Sequence, residues 1–227
     1  MPVKFALLAL TLENVMKKKL LAALSAVLLA SSVSADDAIS ANFTLATDYV
    51  WRGVSQTDEN PAIQGGLDYS ADNGFYIGTW GSNVDFGSVE NLELDVYFGW
   101  ATEFDNGLGL DIGFIQYLYF DNAGDVDFNE IYVGLSHSGF SGKVSFDNDN
   151  DATYVELGYD AELANDFGLG LHVGNYSFDG GFDYTDYSVS LSKSYGGLDF
   201  GLAYTDTDID NVDAADARVV FSISKSF

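Results

Sequence analysis

The sequence predicts an all-β protein: an antiparallel up-and-down transmembrane β-barrel of about twelve strands, preceded by an N-terminal signal peptide. Three observations predict it. Apolar residues recur at every second position through most of the chain, while helical spacing is hard to find. The links between the alternating stretches are short and long in turn, as in barrels whose two ends differ. The last stretch, "VVFSISKSF" (219–227), alternates to the final residue, with Val219, Phe221, Ile223 and Phe227 on one face and Ser222, Ser224 and Ser226 on the other.

The first element is a leader. From Met16, "MKKKLLAALSAVLLASSVSADD" has a basic start (Lys17 to Lys19), an apolar stretch from Leu20 to Ala30 and small residues at Val33-Ser34-Ala35. That order is a secretory signal with cleavage after Ala35, and the apolar stretch is short for a membrane-spanning helix. The expected division is therefore 1–35, upstream leader plus signal peptide with the true start at Met16, and 36–227, a single barrel domain.

The 36–227 portion has five basic residues (Arg52, Lys143, Lys193, Arg218, Lys225) against 34 acidic ones, a net charge of −29. Such a surface repels nucleic-acid phosphates and draws cations. With 17 Phe and 14 Tyr in the chain, the acidity does not read as disorder. The absence of cysteine removes disulfides and thiolate metal sites.

Alternation places strands near 39–52, 63–70, 75–83, 92–102, 108–119, 129–136, 140–146, 153–161, 168–177, 185–193, 198–205 and 217–227. In the fourth, Leu92, Leu94, Val96, Phe98 and Trp100 share a face opposite Glu93, Asp95, Tyr97 and Gly99. The third, "FYIGTWGSN", is apolar on both faces and has no sequence-defined orientation. Short links fall at 71–74, 103–107, 137–139, 162–167 and 194–197; longer acidic ones at 53–62, 84–91, 120–128, 147–152, 178–184 and 206–216. An even strand number puts both termini at the short-turn end, where Phe75, Phe104, Phe140, Phe167, Tyr195 and Phe227 form an expected interfacial girdle.

A barrel in lipid admits no open edge, so the last strand is expected to close against the first. With the apolar face in lipid, parity lines the lumen with Arg52, Glu93, Asp95, Tyr97, Asp111, Glu130, Tyr132, Tyr154, Glu156 and Arg218. Inward glycines would remove bulk there. Twelve strands fall between filled eight-stranded barrels and broad sixteen-stranded porins. The expectation is a narrow water-filled pore with an acidic wall, which favours cations. Arg52 and Arg218, on neighbouring strands, are placed either to pair with lumen acids at a constriction or simply to offset the carboxylate repulsion there without selecting a solute. The alternatives are a non-transporting structural or adhesive barrel plugged by its own side chains and a secreted soluble β-sandwich with acidic loops.

Nothing in the sequence fixes a catalytic geometry, so no enzyme and no cofactor is expected. Only His137 and His172 are present as histidine bases. "DNDNDATYVELG" (147–158) begins like a calcium loop but has Ala152 and Gly158 where the turn glycine and bidentate glutamate belong. No metal site is assigned.

The terminal pattern resembles the C-terminal signal of bacterial outer-membrane proteins, with Phe227 as its last residue and Lys225 as a departure from it. "ATDYVWRGVSQTDENPAIQGGLDY" (46–69) followed by "GFYIGTWGSNVDFG" (74–87) resembles the TorF-type porin family, also described as Gcw_chp, bacterial conserved hypothetical proteins. The resemblance implies a bacterial outer-membrane location. Its expected partners are outer-membrane lipid and lipopolysaccharide, the barrel-insertion machinery, and small solutes or cations.

Overall fold

The computed structural model describes residues 38–87, 91–120 and 126–227; the leader expected over 1–35 lies outside them. The strands are β1 (Ala38–Ala46), β2 (Val50–Trp51), β3 (Val54–Ser55), β4 (Ala62–Ser70), β5 (Phe75–Asn83), β6 (Leu92–Glu103) and β7 (Gly109–Phe120). They continue with β8 (Phe128–His137), β9 (Phe140–Asp147), β10 (Ala152–Leu163), β11 (Phe167–Phe178), β12 (Asp183–Tyr195), β13 (Leu198–Thr207) and β14 (Arg218–Ser226). Twelve of them form one closed antiparallel barrel in sequence order, and β2 and β3 form a separate two-stranded hairpin.

Closure is made by the two terminal strands. β1 and β14 pair from Asn42↔Ser226 to Ala46↔Ser222. The ladder extends one step further, where the Phe227 amide donates to the Ala41 carbonyl (2.8 Å) and the Ala41 amide to the Phe227 carbonyl (3.2 Å). The alternation that reaches the end of the chain is thus a real strand whose backbone groups are satisfied, as a lipid-facing edge requires.

The two faces separate as the pattern dictates. Ile63, Leu157 and Val219 are each about 60% exposed on the outside, whereas Glu93 and Glu130, on the inside, are 1% and 2% exposed. An apolar exterior over a polar interior is the inverse of a soluble fold and suits a barrel solvated by lipid. Phe75, Phe104, Phe140, Phe167, Tyr195 and Phe227 are all exposed at the short-turn end. Lys225 pairs with the outward Phe43, and its ammonium lies 5.0 Å from the Phe227 ring centroid. Its charge therefore sits at the aromatic rim rather than in the apolar band.

Three expectations need correction. The first strand does not run to Arg52. It stops at Ala46, where the Thr47 hydroxyl accepts the Phe221 amide (3.0 Å), and the chain then turns into the barrel. The links expected at 147–152 and 178–184 shrink to four residues each, 148–151 and 179–182, because the flanking strands extend further. The long-short contrast is therefore weaker at those two positions. Inward glycines do not simply widen the lumen. Gly78 faces Tyr97 and Gly99 faces Tyr76 across β5–β6, and Gly113 faces Tyr132 across β7–β8. A Cβ on any of the three would lie only 2.5–2.6 Å from the opposing ring carbon that bears the hydroxyl. Each glycine makes room for a tyrosine lying flat on the wall.

β5 also acquires its orientation. Directly opposed residues of an antiparallel pair share a face, and Gly78, Trp80 and Ser82 oppose Tyr97, Asp95 and Glu93. Tyr76, Gly78, Trp80 and Ser82 therefore point inward, leaving Phe75 and Ile77 for the outer face.

Candidate pore constriction

Residues 47–61 form the first loop, and they fold back into the lumen instead of standing above it. The fold-back depends on a two-residue hairpin. Trp51 pairs with Val54 and Val50 with Ser55, with Arg52 (φ 49°) and Gly53 (φ 80°) at the corner. Both corner residues need positive φ, as in the primed turns that match strand twist. Glycine takes this readily, but an arginine there is unusual and is held by its partners.

Those partners lie on distant strands. Arg52 Nη2 donates to Glu130 Oε2 of β8 at 2.8 Å, and Nη1 makes an ionic contact with Oε1 at 2.7 Å. The guanidinium carbon lies 4.1 Å from the ring centroids of Trp51 and Tyr154 and 4.6 Å from that of Tyr176. Burial alone would lower the Arg52 pKa, but the facing Glu130 carboxylate outweighs it and holds the group above its ordinary value. Arg52 is a permanent cation locked into an aromatic box.

The rest of the loop is anchored around the circumference. Trp51 packs edge-on against Tyr117 of β7 and Tyr176 of β11, each with ring centroids 5.9 Å apart. The Tyr49 hydroxyl donates to Glu93 of β6 (2.9 Å), and its ring meets Trp80 of β5 (5.2 Å). Burial first, and then the charges of Glu93 and Asp95, push the Tyr49 phenol well above its ordinary pKa, so it stays a neutral donor. Gly53 packs against Thr207 of β13 and Asp186 of β12. Asp48 accepts hydrogen bonds from Ser55 (2.7 Å) and Thr57 (2.8 Å) and pairs with Arg218 of β14 (2.9 Å). One short hairpin thus touches most of the wall at one level.

Beneath it lies a cavity of about 690 Å³ bordered by residues of all twelve barrel strands. The acids that border it are Asp48, Glu130, Glu156 and Asp186. Each has a close basic partner: Arg218 at 2.9 Å, Arg52 at 2.7 Å, Lys143 at 2.7 Å and the His172 Nε2 at 2.9 Å, respectively, and Glu156 also lies 3.6 Å from the His172 Nδ1. Tyr154 joins the last pair, its hydroxyl 2.9 Å from Asp186 and 3.0 Å from His172. With His172 protonated, this level of the lumen is charge-balanced.

The residues singled out from sequence fall into five places. Arg52, Tyr97, Glu130, Tyr132, Tyr154 and Glu156 border the cavity beneath the loop. Asp111 faces inward lower down, where it accepts the Tyr76 hydroxyl (2.7 Å) and borders a second cavity of about 610 Å³. Glu93 and Asp95 are buried behind Tyr49, and Asp95 Oδ1 has no hydrogen-bond partner. Arg218 lies behind Asp48, and Phe227 sits at the short-turn rim.

Sequence reasoning missed Tyr49, Trp51 and Trp80 as loop and lumen residues, and Lys143, His172 and Asp186 as one connected wall. The Arg52-Gly53 step, following an alternating run, was the available turn signal. Asp147, first in the calcium-like run, instead accepts the amides of Asp149 (3.0 Å) and Asn150 (3.1 Å) and caps its own turn.

A closed twelve-stranded barrel with an apolar exterior, a polar lumen and an infolded first loop defines a porin-type membrane barrel. The chain belongs to the Gcw_chp family, described as a bacterial protein of unknown function, whose profile matches residues 30–227. Among solved structures it is similar in fold to the KdgM porin, at 11% identity and a TM-score of 0.61, covering 83% of this chain and 99% of that one. A KdgM porin in complex with disordered oligogalacturonate gives 12% identity, a TM-score of 0.59 and coverage of 83% and 99%. The NanC porin gives 13%, 0.54, and coverage of 82% and 98%. At these identities the likeness is one of fold. No curated protein matches the chain.

Proposed function

We propose that this protein is an outer-membrane, porin-like channel of the TorF type for passive diffusion of small solutes or ions, without enzymatic activity. The observation that carries the reading is the lumen itself: a polar cavity of about 690 Å³ within a closed barrel, narrowed by a loop held on ion pairs. A structural plug needs no such space beneath it. The neighbours in fold include two named porins, which supports the channel class.

The channel prefers cations. The preference arises away from the paired charges of the constriction and is set by outer-loop carboxylates such as Asp85, Asp151 and Asp179 and by Asp68, Asp111, Asp160 and Asp199 toward the short-turn end. Outer-membrane lipid and lipopolysaccharide surround the barrel, and the insertion machinery receives it through the Phe227 end.

The second reading, a non-transporting structural or adhesive barrel, is favoured by one observation: the loop meets strands around most of the circumference. Single-channel recording of the refolded protein in a planar bilayer under a salt gradient separates the two. Stable steps with a cation-selective reversal potential support the channel. Correctly folded, heat-modifiable protein that gives no steps would make the structural barrel the answer.

A further inference from the structure

The cavity beneath the first loop has an unusual charge economy. Four acids face four bases, each acid with a base at 2.7–2.9 Å. An entering anion finds every base engaged, and an entering cation meets acids whose charge is already neutralised. Taking up either ion means separating a partly desolvated pair, which is costly because it leaves a charge without its partner. An uncharged hydroxyl has no such obstacle. It donates to a spare carboxylate lone pair while the ion pair stays intact.

The remaining lining suits such a solute. Trp80, Tyr97 and Tyr132 present aromatic surface, and Ser145, Ser188 and Ser222 add hydroxyls. Aromatic surface with a few convergent polar groups, in a volume of this order, is the usual make-up of a small-molecule site. Trp80 has its ring edge-on to Tyr49 of the loop, so it links the cavity to the constriction.

We propose that this cavity is a transit subsite for small uncharged polyhydroxylated solutes of about monosaccharide size. It holds them in preference to sugar acids and amino sugars. The inference rests on the channel reading above and adds the solute class to it. Small inorganic ions pass without lodging; a polyol lodges because it binds.

The test is block of the potassium current through the refolded protein by three matched sugars: galactose, sodium galacturonate and galactosamine. Block reports residence in the lumen, so attraction at the acidic entrance does not by itself produce it. Galactose is expected to half-block at a concentration at least about fivefold below the other two, and Trp80→Ala to weaken its block by about fivefold, the loss expected for one aromatic contact. A gain-of-function variant guards against misfolding: Lys143→Gln leaves Glu156 only its 3.6 Å contact with His172, and galactosamine block is expected to strengthen relative to galactose block. Galactosamine blocking best in the unaltered protein, or current steps with no block by galactose, would overturn the subsite and leave the channel standing. Absence of any current steps would remove the channel reading and the subsite with it.

Discussion

Arg52 and Glu130 stand 78 residues apart in the chain and meet inside the barrel as a two-contact ion pair of 2.7 and 2.8 Å. The pair fixes the first loop to the far wall, and the aromatic box around the guanidinium excludes water from it. Both halves are buried, so removing Glu130 leaves a cation alone and removing Arg52 leaves a carboxylate alone.

Glu130→Ala is therefore expected to destabilise the barrel by about 3–5 kcal/mol, the usual cost of stranding a buried charge. Arg52→Ala strands the buried Glu130 carboxylate in turn, so it is expected to cost a comparable amount and to raise unitary conductance, because the hairpin loses its grip on β8. The double variant should be more stable than the sum of the single losses predicts, since the two residues act as one unit. The midpoint of heat-modifiable migration in detergent reads the stability, and bilayer recording reads the conductance. Equal conductance in Arg52→Ala and the parent would show that the pair does not hold the constriction.

Asp95 offers the opposite case. It is 5% exposed, it shares a face with the nearly inaccessible Glu93, and its Oδ1 has no hydrogen-bond partner. A buried acid that lacks a base costs stability wherever it is ionised. Asp95→Asn keeps the shape and removes the charge, and it should raise the unfolding midpoint by an amount equivalent to about 1–2 kcal/mol. A lower midpoint would mean that the carboxylate is compensated.

His172 completes the charge balance of the cavity. It faces Asp186 and Tyr154 at 2.9 and 3.0 Å and Glu156 at 3.6 Å, with Lys143 beyond it on Glu156. Protonated, it cancels Asp186. Deprotonated, it leaves one net negative charge at this level. Cation selectivity is thus expected to rise with increasing pH as His172 loses its proton. His172→Gln should be fixed at the high-pH selectivity. Reversal potentials across a salt gradient at several pH values measure both, and a His172→Gln channel that keeps the pH response would assign it elsewhere.

Most of the barrel was legible because period two with unlike faces is a strong signal. β6, with Leu92 to Trp100 outward and Glu93 to Gly99 inward, admits one orientation. β5 did not, because Trp80 is apolar and yet points inward to meet Tyr49 of the loop. The first strand was read six residues too long for a related reason. A hairpin folded against an inner wall alternates just as a barrel strand does, and only Gly53 after Arg52 marked the turn. The acid excess was visible in composition. That four acids of one cavity each have a base partner depends on register across β8 to β14, which no single strand carries.

The tyrosine–glycine pairs of the inner wall are the most exposed to substitution. The Tyr132 ring lies over Gly113, and a Cβ there would sit 2.5 Å from the ring carbon bearing the hydroxyl. Gly113→Ala forces the ring off the wall and is expected to cost about 1–3 kcal/mol, as overpacking does, and to narrow the lumen. Pairing it with Tyr132→Ala should recover most of the loss. Failure of that rescue would mean that Gly113 is needed for its backbone and not for the space it leaves.

The terminal pair makes the last prediction. Phe227 contributes two things: backbone bonds to Ala41 of 2.8 and 3.2 Å, and an exposed ring at the short-turn rim. Phe227→Ala keeps the first and removes the second. If the ring is read by the insertion machinery, assembly in cells should fall several-fold while spontaneous folding into detergent micelles proceeds almost as before. Deleting the residue removes the backbone bonds as well and should lower the unfolding midpoint too, by the equivalent of about 1–2 kcal/mol. Comparing the two variants by heat-modifiable migration, in cell envelopes and after refolding in detergent, separates recognition from closure. Equal assembly of Phe227→Ala and the parent in cells would leave the residue a purely structural role at the seam.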